Sequence, residues 1–463
     1  MTSKIVVNNI ESDSGISSVT FTSDIELGTK NLKGHNLEST GIVTAISFTG
    51  SGANLTNLPA GNLTGTIADA RFPSTLPAVD GSALTGIDTS FGSGTSVNTT
   101  GIITATAFIP TTGQLSHRNI IINGDIRIAQ RDTSHNSSGY RTVDRFLMTA
   151  GGASHTLTQA QVDVASGTTP YTEGFRKAYS ITNAGQNANN QAYAYMRYKV
   201  EAQDVANSGW NYTSSSSFIT ISFWIKASVT QTYLFFLHTN DGGTKEYNHL
   251  MSLSANTWTK ITLNVPGNSG LQFDNDNGLG LNIYWTAYLG DHYTSTGSVD
   301  QWVTHAGYTS RPDMGSTWWT TSNATFQLTG VQLEVGSVAT PFEHRSFGDE
   351  LRRCERYYQV LAEPKQDSGV SNISTHGGNF YGVIHYHTVM RASPTLVVSN
   401  FTNAFRAYGN QGTNPSTLTL NNGGSHSMVI QGSGDPGTAG WLRCYLGNPV
   451  GGAFATVAAQ SEL

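Results

Sequence analysis

FITISFWIKA, residues Phe218–Ala227, alternates between apolar and more polar side chains over its whole length. Successive side chains of an extended chain point to opposite faces, so every second residue shares a face. One face of this segment carries Ile219, Ile221, Phe223 and Ile225. Such an alternation with period two predicts a β-strand with one side in a hydrophobic core.

The same pattern recurs on both sides of this segment, between loops rich in Gly, Asn and Ser. Further predicted strands cover 119–128, 145–149, 175–181, 191–200, 233–238, 257–265, 279–288 and 326–335. About nine strands are enough for two packed sheets. We therefore predict a β-sandwich over residues 118–347, with a jelly-roll as the favoured connection pattern.

The composition agrees with an all-β fold. Of 463 residues only 12% are charged, against about 25% in a typical soluble protein, whereas solvated helix faces are rich in Lys, Glu and Arg. The net charge of −6 and the lack of a Lys/Arg cluster argue against nucleic acid as a partner. No stretch approaches the roughly 20 apolar residues that cross a bilayer, so we expect no membrane insertion.

The first 117 residues differ sharply from the rest, since they contain no Trp and no Tyr. Short units recur there: GIVTAISF at 41–48 returns as GIITATAF at 101–108. Each unit has too little apolar surface to form a core alone. We predict a trimeric fibrous shaft of short β repeats over 36–117, preceded by an attachment element at 1–35. A flexible Ser/Thr/Gly linker is the alternative.

One helix is predicted at 349–359, DELRRCERYYQ, because Leu351, Cys354 and Tyr358 recur at spacings of three and four. We assign 348–360 as a short helical neck. Its apolar stripe packs on the sandwich in a monomer, or meets two other copies on the axis of a trimer. The remaining residues, 361–463, return to β character and predict a C-terminal β-sandwich knob.

Three segments resemble the tail-fibre proteins of tailed bacteriophages. They are NIIINGDIRIAQR (119–131), YRTVDRF (140–146) and TGVQLEVGSVATPFEHRSFGDELRRCERYYQ (329–359). The units GIVTA and GANLTNL are similar to fibres of phages that infect marine cyanobacteria, and MRASPTL (390–396) is like a phrase of fibre knob domains. The N-terminus departs from the anchoring domain of short-tailed enterobacterial phages.

The resemblance implies a homotrimeric virion fibre that is assembled in the host cytoplasm. Its N-terminus attaches to another tail or baseplate protein, and its distal β domains meet a host surface glycan or outer-membrane protein. The expected function is host recognition by non-covalent binding, with three tips adding avidity. A purely structural collar or capsid fibre is the alternative, followed by a polysaccharide-degrading tailspike.

An enzyme is not expected, because acidic residues are sparse and a glycosidase needs two facing carboxylates. Asp144 with Arg145, and Glu343 with Arg345, are interpreted as structural pairs. Nucleophile elbows and phosphate-binding loops are absent from the sequence.

Sugars are held by aromatic faces flanked by polar groups, so exposed aromatic residues are the candidate ligand contacts. In the sandwich the candidates are Trp302, Tyr308, Trp318 and Trp319. If the chain is extended there, Trp318 and Trp319 point to opposite faces and cannot both point inward. Packing of one ring on the core and the other under a loop is the competing interpretation.

In the knob the candidate ligand contacts are Tyr381, His385 and His387. The two histidines share a face of one predicted strand, a spacing that suits a transition metal or simply a polar, solvent-facing strand.

The loop DNDNG, residues 274–278, offers Asp274 and Asp276 as oxygen ligands for a structural calcium ion. Asp, Asn and Gly are also ordinary turn residues, which is the favoured interpretation of this loop. No other cofactor is expected.

Overall fold

A computed structural model describes the chain over the ranges 39–44, 46–47, 117–362, 368–369, 371–376, 379–398, 405–408, 417–433, 443–446 and 457–463. The predicted attachment element at 1–35 lies outside the described residues, as does most of the predicted shaft at 36–117. The chain divides into two compact units, 1–103 and 104–463.

Two six-stranded antiparallel sheets form the sandwich. The strands are β1 Ser134–His135, β2 Phe146–Gly151, β3 Thr158–Asp163, β4 Lys177–Asn183, β5 Tyr193–Glu201, β6 Phe218–Ala227, β7 Gln231–Thr239, β8 Lys245–Leu253, β9 Thr259–Pro266, β10 Leu279–Leu289, β11 Trp302–Thr304 and β12 Ala324–Val335. The first sheet has the order β1-β3-β4-β12-β6-β9, and the second has β11-β8-β7-β10-β5-β2. The predicted all-β sandwich is confirmed. Strands β4 and β6 belong to the first sheet and β5 and β7 to the second, so the chain crosses between the sheets at each step from β4 to β7.

Strand β6 has the predicted bounds and lies between β12 and β9. Its apolar face is fully buried against the second sheet. There the Phe223 ring lies 5.3 Å from Phe235 and 5.7 Å from Trp285, measured between centroids. These three rings occupy the middle of the core.

Four helices lie within the described part of the chain: α1 Thr169–Thr172, α2 Ala202–Ala206, α3 Thr317–Thr320 and α4 Phe347–Glu355. None of them is long and apolar enough to span a bilayer. Two 3-10 turns, Asp291–Tyr293 and Gly307–Ser310, lie in the long connection between β10 and β12.

The prediction of a strand at 119–128 is wrong. The segment has no regular strand, and Asn123 and Ile126 adopt positive φ angles of 61° and 63°. The Asn123 amide donates hydrogen bonds to the carbonyls of Ile128 and Asp144, each at 2.9 Å, which folds the segment back on itself. Its apolar side chains are buried without strand pairing, so hydrophobic alternation alone is misleading here.

The predicted helix exists, but it ends earlier than predicted. Helix α4 begins after Ser346, whose hydroxyl accepts a hydrogen bond from the backbone N–H of Asp349, a regular N-cap. Residue 358 instead opens a strand. The buried Cys354 packs with Ile122 and Ile128 of the same chain, so this side of the helix already has an intramolecular partner.

The described residues of the C-terminal part form three small antiparallel sheets. Their strands are β13 Tyr358–Ala362, β14 Ser368–Gly369, β15 Ser371–His376, β16 Asn379–His385, β17 Thr395–Val398, β18 Phe405–Tyr408, β19 Thr417–Gly423, β20 Ser427–Ser433, β21 Arg443–Leu446 and β22 Val457–Gln460. Their orders are β13-β22-β17, β14-β21-β18 and β15-β16-β20-β19. Strand β13 begins before the predicted knob boundary at residue 361.

A buried arginine joins this C-terminal part to the sandwich. Arg145 is 1% exposed, and its guanidinium lies 2.6 Å from the Glu462 carboxylate and donates to the carbonyl of Lys199 at 2.7 Å. The guanidinium also covers the Tyr357 ring at 3.4 Å from its centroid. Glu462 pairs with Arg131 as well, at 3.0 Å. One buried carboxylate thus holds two guanidinium groups.

The predicted pairing of Asp144 with Arg145 is wrong, whereas that of Glu343 with Arg345 is confirmed at 3.1 Å. Asp144 instead contacts Arg131 at 3.3 Å. Burial raises the pKa of the Asp144 carboxyl to about 6, although Arg131 opposes the shift.

We expect Glu462→Gln to lower the free energy of unfolding by about 3–5 kcal/mol, because it leaves two buried guanidinium groups without their shared counter-charge. Denaturant unfolding measures this change. Lys260→Gln is the control, since it removes the half-exposed Lys260–Glu173 pair and should cost no more than about 1 kcal/mol. Equal losses in both variants would show that the Glu462 contacts stabilise no more than a surface pair.

We expect Asp144 to make unfolding depend on pH. Its pKa is about 6 in the folded chain and near 3.8 when unfolded, so above pH 4 the unfolded state binds fewer protons. Stability from this residue is therefore full below pH 4 and falls by roughly 3 kcal/mol as pH rises through 6. In Asp144→Asn, denaturant unfolding at each pH should show a shallower decline. Parallel curves for the two proteins would contradict the assignment.

Candidate functional site

The outer surface of the second sheet carries an unusual set of side chains. Residues directly opposite each other on neighbouring antiparallel strands share a face. Tyr284 on β10 lies opposite Arg197 on β5 and opposite Phe236 on β7. Tyr195, two residues before Arg197, therefore joins the same face, as does Tyr193.

Six rings form a continuous row, which we call the aromatic ladder. In order along the row they are Phe236, Tyr284, Tyr195, Tyr193, Tyr293 and Tyr308. The centroid distances between successive rings are 4.2, 5.1, 5.7, 5.5 and 4.8 Å. The row runs from the middle of the sheet to the loops at its end.

The last two rings come from the connection between β10 and β12. Its two 3-10 turns carry Tyr293 and Tyr308, and the backbone N–H of Ser295 donates to the carbonyl of Arg311 at 2.7 Å, which ties the turns together. The His292 ring lies 5.1 Å from Tyr293 and 4.7 Å from Tyr308. Tyr308 is 48% exposed, so its ring is open to solvent.

Cationic and amide groups lie between the rings. The Arg197 guanidinium donates to Asn282 Oδ1 at 2.6 and 2.8 Å and lies 5.1 Å from the centroid of Tyr284. Arg311 covers Phe236 at 4.6 Å, and Phe236 is only 2% exposed. Phe236 therefore supports the ladder from below, while the tyrosines present its surface.

The phenols of Tyr195, Tyr284 and Tyr293 stay protonated at neutral pH. Burial raises the pKa of Tyr195 and Tyr293, and it raises that of Tyr284 to about 12 against the opposing charge of Arg197. Each phenol can therefore donate and accept a hydrogen bond. Flat rings with such polar tips can stack on an apolar ligand face and bind hydroxyl groups at its rim.

Of the four aromatic candidates in the sandwich, Tyr308 and Trp302 lie on opposite sides of the second sheet. Tyr308 belongs to the ladder. Trp302 lies on the other side of its sheet, where it packs against the core beside Tyr247 at 5.5 Å and donates from Nε1 to the carbonyl of Pro266 at 2.7 Å.

Trp318 and Trp319 are both buried in the core, 0% and 1% exposed, so neither is the exposed ligand contact that was considered from the sequence. The chain is not extended there, because both residues lie in helix α3, where neighbours do not alternate faces. Trp319 stacks on Tyr288 at 4.7 Å, and Trp318 Nε1 donates to the carbonyl of Thr325 at 3.1 Å. Both rings are part of the core and offer no ligand surface.

The knob candidates do not share one strand. Tyr381 and His385 lie on the same face of β16, which ends at His385. His387 lies in the bend that follows, 64% exposed in its side chain and 4.0 Å from the Glu355 carboxylate. The predicted common face of the two histidines is therefore wrong, because the strand is shorter than predicted.

The loop at 274–278 adopts turn geometry. Asp276 Oδ1 accepts the backbone N–H of Gly278 at 2.8 Å, and Asp274 Oδ1 accepts the Gln272 side chain at 3.2 Å. A calcium ion at Asp274 and Asp276 stays a prediction. Among the residues with described positions, one group of three brings its ligand atoms within metal-binding distance: His238, Glu246 and His305.

The sequence predicted β5 but not the role of its tyrosines. A signal was present in YAYMRY (193–198), where two tyrosines and an arginine occupy alternate positions while Ala194, Met196 and Tyr198 are buried. The partner rings of β10 and β7 could not be found in the same way, because their adjacency depends on strand order.

Neither a protein-family model nor a curated protein matches the chain. Structural neighbours include a CBM4 module, with 13% identity over 46% of this chain and 98% of the other, at a TM-score of 0.23. A family 11 carbohydrate-binding module from Clostridium thermocellum, in complex with a mixed-linked tetrasaccharide, has 13% identity, 45% and 98% coverage and a TM-score of 0.22. An apo cyclase from Fischerella sp. has 8% identity over 50% of this chain and 98% of the other, at a TM-score of 0.26. Scores this low carry no argument about this chain.

Proposed function

We propose that the aromatic ladder binds carbohydrate and that the protein is a virion fibre recognising a glycan on a host cell. The observation that carries the binding proposal is the unbroken row of half-buried tyrosines on one face of the sandwich. Arg197 and His292 supply hydrogen-bonding groups along this row.

The ladder is suited to a chain of sugar units rather than to a small compact ligand. Its rings follow one another in a line that begins near Tyr284 and ends at the exposed Tyr308. The rings already contact one another, so binding needs little ordering of side chains. A polysaccharide lying along the row can stack on several rings in succession.

Binding without catalysis is the proposed activity. The Glu246 carboxylate at the edge of this face accepts Arg311 at 2.6 Å on one oxygen and the Ser310 hydroxyl at 2.6 Å on the other. These contacts hold the carboxylate ionised, since hydrogen bonds and the charge of Arg311 lower its pKa to about 2 despite burial. A carboxylate held in this way is a poor proton donor.

The fibre assignment is supported by the resemblance of 119–131, 140–146 and 329–359 to phage tail fibres. Within the first unit, Ile42 and Ile46 of the repeat GIVTAISF have fully solvent-exposed side chains. Apolar side chains in such a repeat gain burial if identical chains wrap together. A homotrimer docked on another virion protein is the corresponding proposal for its partners.

We expect Tyr195→Ala and Tyr308→Ala each to weaken binding to a recognised polysaccharide by roughly 2- to 10-fold, the value of one aromatic contact. Affinity electrophoresis against neutral and acidic bacterial polysaccharides identifies the ligand, and calorimetry measures the affinities. Tyr171→Ala is the matched control, because Tyr171 also lies beneath an arginine, Arg176 at 3.9 Å, but outside the ladder. If no polysaccharide is retained, or if the control variant loses as much affinity, the ladder is not a glycan site.

We expect the full chain to be a trimer in solution, with a mass near three times 49.5 kDa, or about 150 kDa. Light scattering coupled to size exclusion gives this mass directly. A fragment spanning 118–463, which lacks the repeats, is expected to assemble less. A monomeric full chain would contradict the fibre assignment but leave the glycan proposal standing.

A further inference from the structure

Three neighbouring strands bring two histidines and a glutamate together at one edge of the second sheet. His238 on β7 lies directly opposite Glu246 on β8, and Glu246 lies opposite Val303 on β11. Just beyond β11, the backbone N–H of His305 donates to the carbonyl of Thr244 at 2.9 Å, which fixes that histidine beside the other two.

The polar atoms of the three side chains lie within 4.8 Å of one another, close enough to share one metal ion. His238 Nδ1 lies 3.1 Å and His305 Nδ1 lies 3.0 Å from Glu246 Oε1. Zinc bonds to nitrogen and oxygen are about 2.0–2.2 Å long, so tetrahedral ligand atoms are separated by about 3.3 Å. Little movement is needed to place an ion between the three atoms.

Hydrogen bonds within the chain leave the ring nitrogen of His305 without a partner. Glu246 Oε1 already accepts hydrogen bonds from the His238 ring and from the Arg311 guanidinium. Because one carboxylate oxygen has two lone pairs, these two donors occupy its capacity. His305 Nδ1 is buried and has no hydrogen-bond partner, although it lies 3.0 Å from that oxygen. Leaving a buried polar atom without a partner is unfavourable, and coordination to a cation would remove that cost.

We propose that His238, Glu246 and His305 bind a divalent transition-metal ion such as Zn²⁺. Two imidazoles and one carboxylate are a ligand set that zinc uses in proteins, and imidazole selects such ions over Ca²⁺ and Mg²⁺. Three protein ligands leave one coordination position for water or a ligand hydroxyl. The proposal is independent of glycan binding by the ladder.

Ser310 and Arg311 act as outer-shell partners of the ion. Both donate hydrogen bonds to the Glu246 carboxylate, and ligating carboxylates are commonly oriented in this way. The guanidinium also brings a positive charge close to the ion. We therefore expect weaker binding than at a comparable site without an arginine.

The test is zinc titration of the chelator-treated full chain, followed by calorimetry and by metal analysis after dialysis. We expect one Zn²⁺ per chain, and a visible absorption band when Co²⁺ replaces it. His305→Gln should lower the affinity by more than about 100-fold, because losing a ligand exceeds the 10- to 100-fold cost of losing an outer-shell partner. His305 makes no side-chain hydrogen bond, so the variant should melt like the parent.

Two matched variants locate the site. His249→Gln alters another histidine of β8, which pairs with Asp300 at 2.6 Å, and His385→Gln alters the knob. Both should retain full zinc affinity, whereas His238→Gln should lose it as His305→Gln does. Zinc binding that is absent, or that survives loss of either ligand histidine, would overturn the proposal. Glycan retention on affinity gels is scored separately, so the two proposals can fail independently.

Discussion

The buried guanidinium of Arg145 is the constraint on which the arrangement of the larger unit depends. A charge with 1% exposure is tolerated only if it is paired and hydrogen-bonded. Its partners are the Glu462 carboxylate, the Lys199 carbonyl and the Tyr357 ring, which come from three distant parts of the chain. The edge of the sandwich, the segment after α4 and the residues after β22 must therefore be in place together.

The second sheet serves two environments with one backbone. Its inner face supplies Phe235 and Trp285 to the core, while the alternate residues Phe236 and Tyr284 begin the ladder outside. A one-residue slip in the pairing of β10 with β7 would exchange these faces, so core packing and the ladder depend on the same register. The connection between β10 and β12 then adds Tyr293 and Tyr308, which lie in 3-10 turns and not on a strand.

Sequence reasoning succeeded where local periodicity and burial agree. Strand β6 has its predicted bounds, and β7, β10 and β12 lie within a few residues of theirs. It failed where polar contacts or tight turns override the pattern. Asn123 folds a predicted strand into an irregular loop, a helical turn buries both Trp318 and Trp319, and Asp144 pairs with Arg131 rather than with its neighbour in sequence. Strand β8 was not predicted, because its buried Glu246 and Asn248 are polar and interrupt the apolar alternation on which strand prediction depends.

Composition and period-two alternation are enough to establish an all-β chain with a sandwich, because side-chain direction in a strand is a local property of the backbone. They also mark Tyr308 as a candidate ligand contact. The ladder and the histidine–glutamate cluster depend instead on which strands are neighbours and in what register. Tyr195, Tyr284 and Phe236 lie on three strands separated by many residues. His238 shares β7 with Phe236, whereas Glu246 and His305 lie on two further segments. Such adjacency is created by non-local pairing and core packing, which no short stretch of sequence encodes.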